Sequence, residues 1–466
     1  MNNKEKEKFK RILMFIAAFI IVFAFSKSYS FVWNNYYNSD MLDPFWHNGN
    51  ILMILLYIFV YITFTKSFNG FRIGYSKWTG LLGSQTLAIL TTNIISFLQI
   101  SLIGRGRLSV LPMLVLTILD MIFAAVWSIV FSQIYKKIYP SRRMIIVYGN
   151  VNARDLVSKM SNRPDKYKIC ASISCTENFE TIKHQIAKYD AVIISDVPSD
   201  LRNKIVKFAL EKSIRTYINP KLSDIILRGA EDFHLFDTPL LLNRNNGLSF
   251  EQAFIKRFFD ILFSFISLAV LSPFLLITAI AIKCYDGGPV FYSQERLTTD
   301  GKTFKVHKFR SMIVNAEQDG VARLASQKDD RITPVGRFIR KIRFDELPQL
   351  INILKGEMSF VGPRPERPEL TEKYCETMPE FRYRLKVKAG LTGYAQVMGK
   401  YNTTPYDKLK LDLMYIEHQS LWLDTKIFLM TIKTCFMPDA TEGVENSQVN
   451  ETHRQDVSEK NKITTK

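Results

Sequence analysis

The chain reads as three kinds of structure in series. A four-helix transmembrane anchor (residues 1–140) comes first, then a small Rossmann-like α/β domain (141–242). A mixed α/β domain entered through a re-entrant membrane helix (250–437) follows. Three observations predict this order. Four apolar runs lie within the first 140 residues. Buried-strand runs then alternate with helical stretches. Finally, a fifth apolar run carries Ser272-Pro273 at its middle and opens into a segment rich in cations and carboxylates. Residues 438–466 are polar and read as a disordered tail.

The composition fits such a protein. The 466 residues carry a net charge of +18, with 34 Phe and 20 Tyr. A basic, aromatic chain suits nucleic acid or an anionic membrane face, and the apolar runs select the membrane. Five cysteines, Cys170, Cys175, Cys284, Cys375 and Cys435, are scattered without a CxxC pair. That pattern suits reduced cytosolic protein and argues against a cysteine metal site.

The first apolar run, Ile12 to Phe25, follows a basic start and lacks a small-residue cleavage site, so it reads as a membrane helix of roughly twenty residues with its flanks. Ile51–Thr65, Leu81–Ile103 and Val110–Tyr135 are the next three. Lys4, Lys6, Lys8, Lys10 and Arg11 precede the first. Lys66, Arg72 and Lys77 follow the second, and Lys136, Lys137, Arg142 and Arg143 follow the fourth. The first external loop holds Lys27, Asp40 and Asp43. Arg105 and Arg107 run against the trend. Cationic loops prefer the cytoplasm, which places both ends of the anchor inside. Asp120 stands alone within the helices and reads as a helix–helix contact or a terminus effect rather than a functional carboxylate. The region is thus an anchor or oligomerisation unit.

Met144–Tyr148 and Ala191–Asp196 read as buried parallel strands, each leading toward a helix. The turn Gly149 to Ala153 lacks the GxGxxG glycines, so no bound dinucleotide is expected; a regulatory ligand stays open. After a polar linker (243–247), the run Phe258–Ile282 is long enough to span a bilayer. Pro273 removes a helical hydrogen bond, and a serine hydroxyl can satisfy the freed carbonyl. Arg296, Lys302, Lys305, Lys308 and Arg310 come next, and a straight span would place them outside. A broken helix that enters and leaves on the cytoplasmic face is therefore predicted.

Downstream, Gly287–Arg296 reads as a turn and short strand. Phe304–Met312 interleaves cations with apolar residues, either as a solvated face or as a guide for lipid phosphates. Asp329-Asp330-Arg331 reads as a loop salt bridge. The glycine-punctuated stretch Lys388–Val397 offers backbone N–H groups to a nucleotide phosphate or base. Leu409–Ile432 reads as one amphipathic helix, with a face suited to the core or to the membrane interface.

The sequence Asp345-Glu346-Leu347-Pro348-Gln349-Leu350 organises this part. Leu347, Leu350, Ile351 and Leu354 recur with helical period, Pro348 fits a first turn, and Gly356 fits a C-terminal stop. Asp345 and Glu346 then sit at a helix N-terminus, which favours anions. They are either helix caps or a nucleophile beside a metal ligand. Adjacent helical side chains point about 100° apart, which suits separate roles. Arg337, Arg340, Lys341 and Arg343 precede the pair and Gly362-Pro363-Arg364-Pro365 follows. Cations on both sides suit a phosphorylated substrate bridged by a divalent ion.

Residues 345–349, together with Met358-Ser359-Phe360-Val361-Gly362-Pro363-Arg364-Pro365 and Lys308-Phe309-Arg310-Ser311-Met312, resemble the bacterial sugar transferases, the monotopic polyprenyl-phosphate phosphoglycosyl transferases. The resemblance covers residues 250–437, and the preceding regions resemble the long form that starts exopolysaccharide or capsule assembly. It implies that Asp345 attacks the β-phosphate of a UDP-sugar, releases UMP and passes the phosphosugar to undecaprenyl phosphate. It further implies that Glu346 holds Mg²⁺, and it makes Arg364, Lys308, Arg310 and Arg296 candidates for phosphate binding. The implied location is the cytoplasmic face of a bacterial membrane, with a homo-oligomer possible and no nucleic-acid partner. Thr298 stands where the family often has glycine, Ala389 where proline is usual and Tyr394 where tryptophan is frequent. The sugar, whether glucose, galactose or an N-acetylated one, is left open. A non-catalytic scaffold and a nucleotide-sugar-modifying Rossmann enzyme are the rival functions. The second needs a glycine fingerprint and a YxxxK pair within residues 144–240, and neither is convincing there.

Overall fold

A computed structural model describes residues 3–104, 108–149, 153–243, 247–314, 316, 329, 331–399 and 403–436. Arg105, Arg107, Asn150–Asn152, Asp330 and the tail 438–466 lie outside the described residues. Two compact units divide the chain, Met1–Lys221 and a second beginning at Leu222.

The first unit opens with four long helices, α1 (Asn3–Val32), α2 (His47–Ser67), α3 (Trp78–Ile103) and α4 (Leu111–Ile138). Each is long and apolar enough to cross a membrane. Helix α1 runs further than its apolar core predicts and continues as a π-helical turn, Trp33–Tyr37. Lys27 therefore lies inside a helix, not in the first external loop. One face of α1 and its π-helical turn carries Ala17, Ile21, Phe25, Tyr29, Trp33 and Tyr37, all buried at a spacing of four. Phe15, Phe19 and Phe23 face outward. Inward polar groups find partners on neighbouring helices. Ser28 donates to Asp120 at 2.9 Å, Tyr57 donates to Asn93 at 3.0 Å, and Tyr61 donates to Gln85 at 2.6 Å. Asp120 is thus a helix–helix contact.

The unit continues as β1 (Arg142–Tyr148), α5 (Ala153–Ser161), β2 (Tyr167–Ser174), α6 (Phe179–Ile186), β3 (Ala191–Ser195), α7 (Ser199–Glu211) and β4 (Arg215–Ile218). The strands form one parallel sheet in the order β2-β1-β3-β4. β3 and the middle of β1 are buried, which is why they read as continuous apolar runs. β2 is an edge strand with alternating exposure, a weaker signal that the sequence reading passed over.

The second unit starts with α8 (Leu222–Arg228), whose Ile225 packs with Phe381, Leu409 and Leu413. The hairpin β5 (Glu231–Leu235) and β6 (Thr238–Leu242) follows. Residues 222–242 therefore belong with this unit rather than with the parallel sheet. Helix α9 (Phe250–Asp286) is continuous through Pro273, so the predicted break is absent. The helix survives because the Ser272 hydroxyl donates to the Ala269 carbonyl at 2.8 Å, the acceptor that Pro273 leaves without a backbone donor. Near its N-terminus α9 is tied to the unit by Lys256, Arg257 and Asp260. Near its C-terminus Leu275, Ala279 and Ile282 pack with Phe309 and Ile339. Phe254, Phe258, Phe265, Val270, Phe274 and Ile277 remain exposed.

The antiparallel hairpin β7 (Phe291–Leu297) and β8 (Thr303–Phe309) comes next, then α10 (Pro334–Lys341) and α11 (Gln349–Lys355). The short parallel pair β9 (Ser359–Val361) and β10 (Gly390–Thr392) brackets α12 (Pro368–Thr377) and the 3-10 stretch Pro379–Lys386. Helices α13 (Tyr394–Met398), α14 (Pro405–Glu417) and α15 (Leu421–Phe436) end the described chain. The single helix expected over Leu409–Ile432 is two helices, because Ser420 caps the N-terminus of α15 through the Leu423 N–H. Phe304 and Val306 of β8, Leu350 and Ile353 of α11, Met358 and Ala389 form the core that seats α11.

Candidate active site

Asp345 and Glu346 do not begin an α-helix. They lie in a one-turn 3-10 helix, Phe344–Glu346, and α11 starts only at Gln349 with Pro348 as its cap. Arg343 precedes the turn with φ +61°, a left-handed kink that separates it from α10. The buried face also differs from the predicted one. Leu350 and Ile353 are inside, whereas Ile351 is exposed. Buried Asn352 takes part instead, accepting from the His307 N–H at 3.1 Å and donating to the Lys305 carbonyl at 2.8 Å. These bonds lock α11 to β8 and set the 3-10 turn opposite Lys308. Gly356 ends α11 in the left-handed region (φ +85°), as its position predicts.

The two neighbouring carboxylates have different surroundings. Glu346 is buried and clamped. Its Oε1 accepts from Lys308 Nζ at 2.8 Å and from Arg364 Nη2 at 2.6 Å. Burial pushes its carboxyl up, but the charges of Arg364 and Lys308 outweigh burial and hold it well below the ordinary glutamate value. Burial likewise lowers Lys308. Asp345 accepts no side-chain hydrogen bond among the described residues. Burial first, and then the charge of Glu346, raise its carboxyl above the ordinary aspartate value, against Lys308, Arg340 and Arg343. Four cations thus surround two carboxylates, leaving a net positive site that suits a diphosphate.

The other predicted residues fall in two places. Arg364 and Lys308 meet at Glu346. Arg296 does not join them; it is half-buried behind the Arg364 loop, donating to the Pro365 carbonyl at 3.3 Å and to Gln294 at 2.7 Å. Arg310 lies further along β8, is buried and pairs with Asp286 at the end of α9. The Lys388–Val397 stretch is not an open anion loop. Its Gly390 N–H donates to the Pro363 carbonyl at 2.9 Å, and a side chain at Gly362, Gly390 or Gly393 would collide with the facing backbone. Those glycines allow β9 and β10 to touch. Arg331 pairs with Asp329 at 2.7 Å, the predicted loop salt bridge.

Sequence reasoning missed the support under Arg364. Arg384 donates to the Arg364 carbonyl at 2.9 Å and to Asp412 at 2.6 Å. Glu366 pairs with Lys408 and lies 3.8 Å from Arg384. These residues come from three elements far apart in sequence. Only Glu366, next to the Arg364-Pro365 pair, carried a local signal.

The donor set fits Mg²⁺ in a limited way. Glu346 Oε2 receives only a 3.4 Å contact from Arg364, and the Asp345 carboxylate is unspent. Two hard oxygens suit an ion that takes its other ligands from phosphates and water. No cluster of three or more metal-ligating side chains exists among the described residues, so a protein-only cage is not built here.

Residues 251–438 match the family model described as bacterial sugar transferase. Over these residues the chain is similar to the bacterial sugar transferases. It is 38% identical over 253 residues to a UDP-N-acetylgalactosamine-undecaprenyl-phosphate N-acetylgalactosaminephosphotransferase of Aeromonas hydrophila, covering 53% of this chain and 59% of that protein. It is 41% identical over 211 residues to a UDP-glucose:undecaprenyl-phosphate glucose-1-phosphate transferase of Klebsiella pneumoniae, covering 44% and 43%. It is 40% identical over 237 residues to an undecaprenyl-phosphate galactose phosphotransferase of Salmonella typhimurium, covering 47% and 49%. The chain spans about half the length of the curated relatives it matches.

Proposed function

We propose that this protein moves a sugar 1-phosphate from a UDP-sugar to undecaprenyl phosphate, as the first step of capsule or exopolysaccharide assembly. One observation carries the reading: Asp345, an unspent carboxylate with a raised pKa, sits beside Glu346, which Lys308 and Arg364 clamp. In the first half-reaction an Asp345 oxygen bonds to the β-phosphorus. The bond from that phosphorus to the bridging oxygen breaks, and the oxygen leaves with its electron pair as part of UMP. In the second half-reaction an oxygen of the lipid phosphate attacks the same phosphorus and returns Asp345 as carboxylate. Lys308, Arg364, Arg340 and Arg343 stabilise the charge that gathers on the phosphoryl oxygens. Glu346 and Asp345 are the groups that would hold Mg²⁺. When bound, the ion supplies neutralisation of the diphosphate.

The relatives are named for three different sugars, and the donor sugar is one of glucose, galactose and an N-acetylated sugar. The membrane arrangement belongs to the same proposal. α1–α4 cross the bilayer with their cationic ends inside. α9 stays on the cytoplasmic side, which its attachment to one body at both ends supports. The test is a membrane preparation given a panel of UDP-sugars, with UMP measured, and mass spectrometry of the protein without acceptor. A phosphosugar adduct on Asp345 is expected. Undiminished UMP release from Asp345→Asn would defeat the assignment.

A further inference from the structure

The loop that carries Arg364 has few donors of its own. Pro363 and Pro365 flank the arginine, and a proline has no N–H. The fold grips the loop by its carbonyls instead. The Pro363 carbonyl accepts from the Gly390 N–H at 2.9 Å, and the Glu366 carbonyl accepts from the Leu297 N–H at 3.0 Å. Between them, the Pro365 carbonyl accepts from Arg296 Nη1 at 3.3 Å and the Arg364 carbonyl from Arg384 Nη2 at 2.9 Å. Successive carbonyls are thus fixed by donors from β7, β10 and the 3-10 stretch Pro379–Lys386.

Arg384 is the more deeply buried of the two side-chain donors, 4% exposed against 17% for Arg296. Its guanidinium lies over the Phe381 ring, 4.8 Å from the centroid. Its Nε donates to Asp412 at 2.6 Å, and its Nη1 stands 3.8 Å from the Glu366 carboxylate. One planar group therefore joins α14 to two residues of the loop, which a guanidinium fork can do and an ammonium cannot. A buried ion pair is often no more stable than an apolar pair of the same shape, so stability alone does not account for this one. Arg364 supplies the reason. Its Nη2 meets Glu346 Oε1 at 2.6 Å, a contact with little slack for a shift of the main chain that bears it.

We propose that Arg384, held by Asp412, is a positioning residue that fixes the Arg364 main chain and so aims the Arg364 guanidinium at the site of phosphoryl transfer. This deepens the function proposed above and rests on it. Arg384 acts through the carbonyl of Arg364, and its own donors are spent on Asp412 and that carbonyl.

The experiment asks whether Arg384 works through Arg364. Arg384→Met together with Asp412→Leu removes the pair without leaving a lone buried charge, and Leu has the shape of Asp. Full-length protein in membranes, given the UDP-sugar that it turns over and no lipid acceptor, should release a burst of UMP. The burst amplitude counts competent sites, and the burst rate reads the chemistry at each. The expected result is a retained amplitude with a rate about 100-fold lower, the scale for a group misplaced by about 1 Å. In an Arg364→Lys background the same double change should alter the rate by no more than about twofold, because the guanidinium that it aims is already gone. A per-site rate within about threefold of the parent, at any amplitude, overturns the role, and so does an equal loss in both backgrounds. If the double variant does not fold, Arg384→Lys takes its place. It keeps a charge opposite Asp412 but withdraws the fork from the Arg364 carbonyl, and the same two readings decide. A parent protein that shows no burst with any UDP-sugar, or a burst that survives Asp345→Asn, defeats the underlying function instead.

Discussion

The α1–α4 region and helix α9 are built from similar apolar residues, yet they use them in different ways. In α1–α4 the helices bury one another. Tyr29 stacks on Tyr57 at 4.0 Å, and Ser28, Tyr57, Asn93, Thr117 and Asp120 share one polar network between helices. Helix α9 packs within its own unit against the short helices α10 and α11. It keeps an apolar face exposed and spends Lys256, Arg257 and Asp260 on the catalytic part. Arg257 donates to the carbonyls of Ile353 and Leu354, at 2.6 and 2.7 Å, and so caps the C-terminal end of α11. The first region reads as a self-contained anchor. The second is an anchor that holds the helix next to Asp345. Hydropathy alone does not distinguish them; the position of the charged residues does.

This contrast breaks most sharply at two aspartates, buried Asp120 and half-buried Asp345. Asp345→Asn should cut UMP release by at least about 10⁴-fold, the scale of losing a covalent nucleophile. Asp120→Asn should leave the rate within about twofold, since intramembrane hydrogen bonds average only about 0.6 kcal/mol. Equal losses in a UMP assay on membranes would erase the difference. Lys308→Met comes next, with the rate about 100-fold lower, because one of the cations facing the phosphates is gone.

The pH profile sharpens the difference within the pair. Asp345 has a raised pKa, so the burst rate should fall with acid at an apparent pKa above the free aspartate value of about 3.9. The same shift means that its ionisation costs the folded state stability as pH rises from that value through the folded one, so Asp345→Asn should be the more stable protein at pH 7. Glu346 has the opposite sign. Its contribution is present above the free glutamate value of about 4.3 and is lost as pH falls through its lowered folded pKa. Thermal denaturation of the parent, Asp345→Asn and Glu346→Gln from about pH 2 to about pH 8 checks both signs.

Smaller effects probe the two anchors themselves. Arg257→Ala should destabilise the catalytic unit by about 1–3 kcal/mol through two uncapped carbonyls, measured by thermal inactivation of UMP release. Ser272→Ala should cost about 0.5–1.5 kcal/mol, because the Ala269 carbonyl then has neither Pro273 nor Ser272 as donor.

Much of this was legible beforehand for physical reasons. Long apolar runs must be helices in lipid, and buried parallel strands are apolar on both faces, so α1–α4, β1, β3 and α9 stood out. The Ser272 hydroxyl satisfies the freed carbonyl as expected, although the helix continues through the proline instead of breaking there. Edge strand β2, the Ser420 cap that divides α14 from α15, and the division at Lys221 depend on packing partners distant in sequence.

At the site, the sequence by itself determined which chemistry is present: two adjacent carboxylates, cations before and after them, and a proline that holds the turn. The tertiary structure alone decided how that chemistry is divided. Lys308, Glu346 and Arg364 are brought together across 56 residues, Arg310 is drawn away to Asp286, and Asp345 accepts no side-chain hydrogen bond among the described residues. The physical reason is that a charged or polar group becomes specific through the partner it meets after burial, and separation along the chain does not encode that partner.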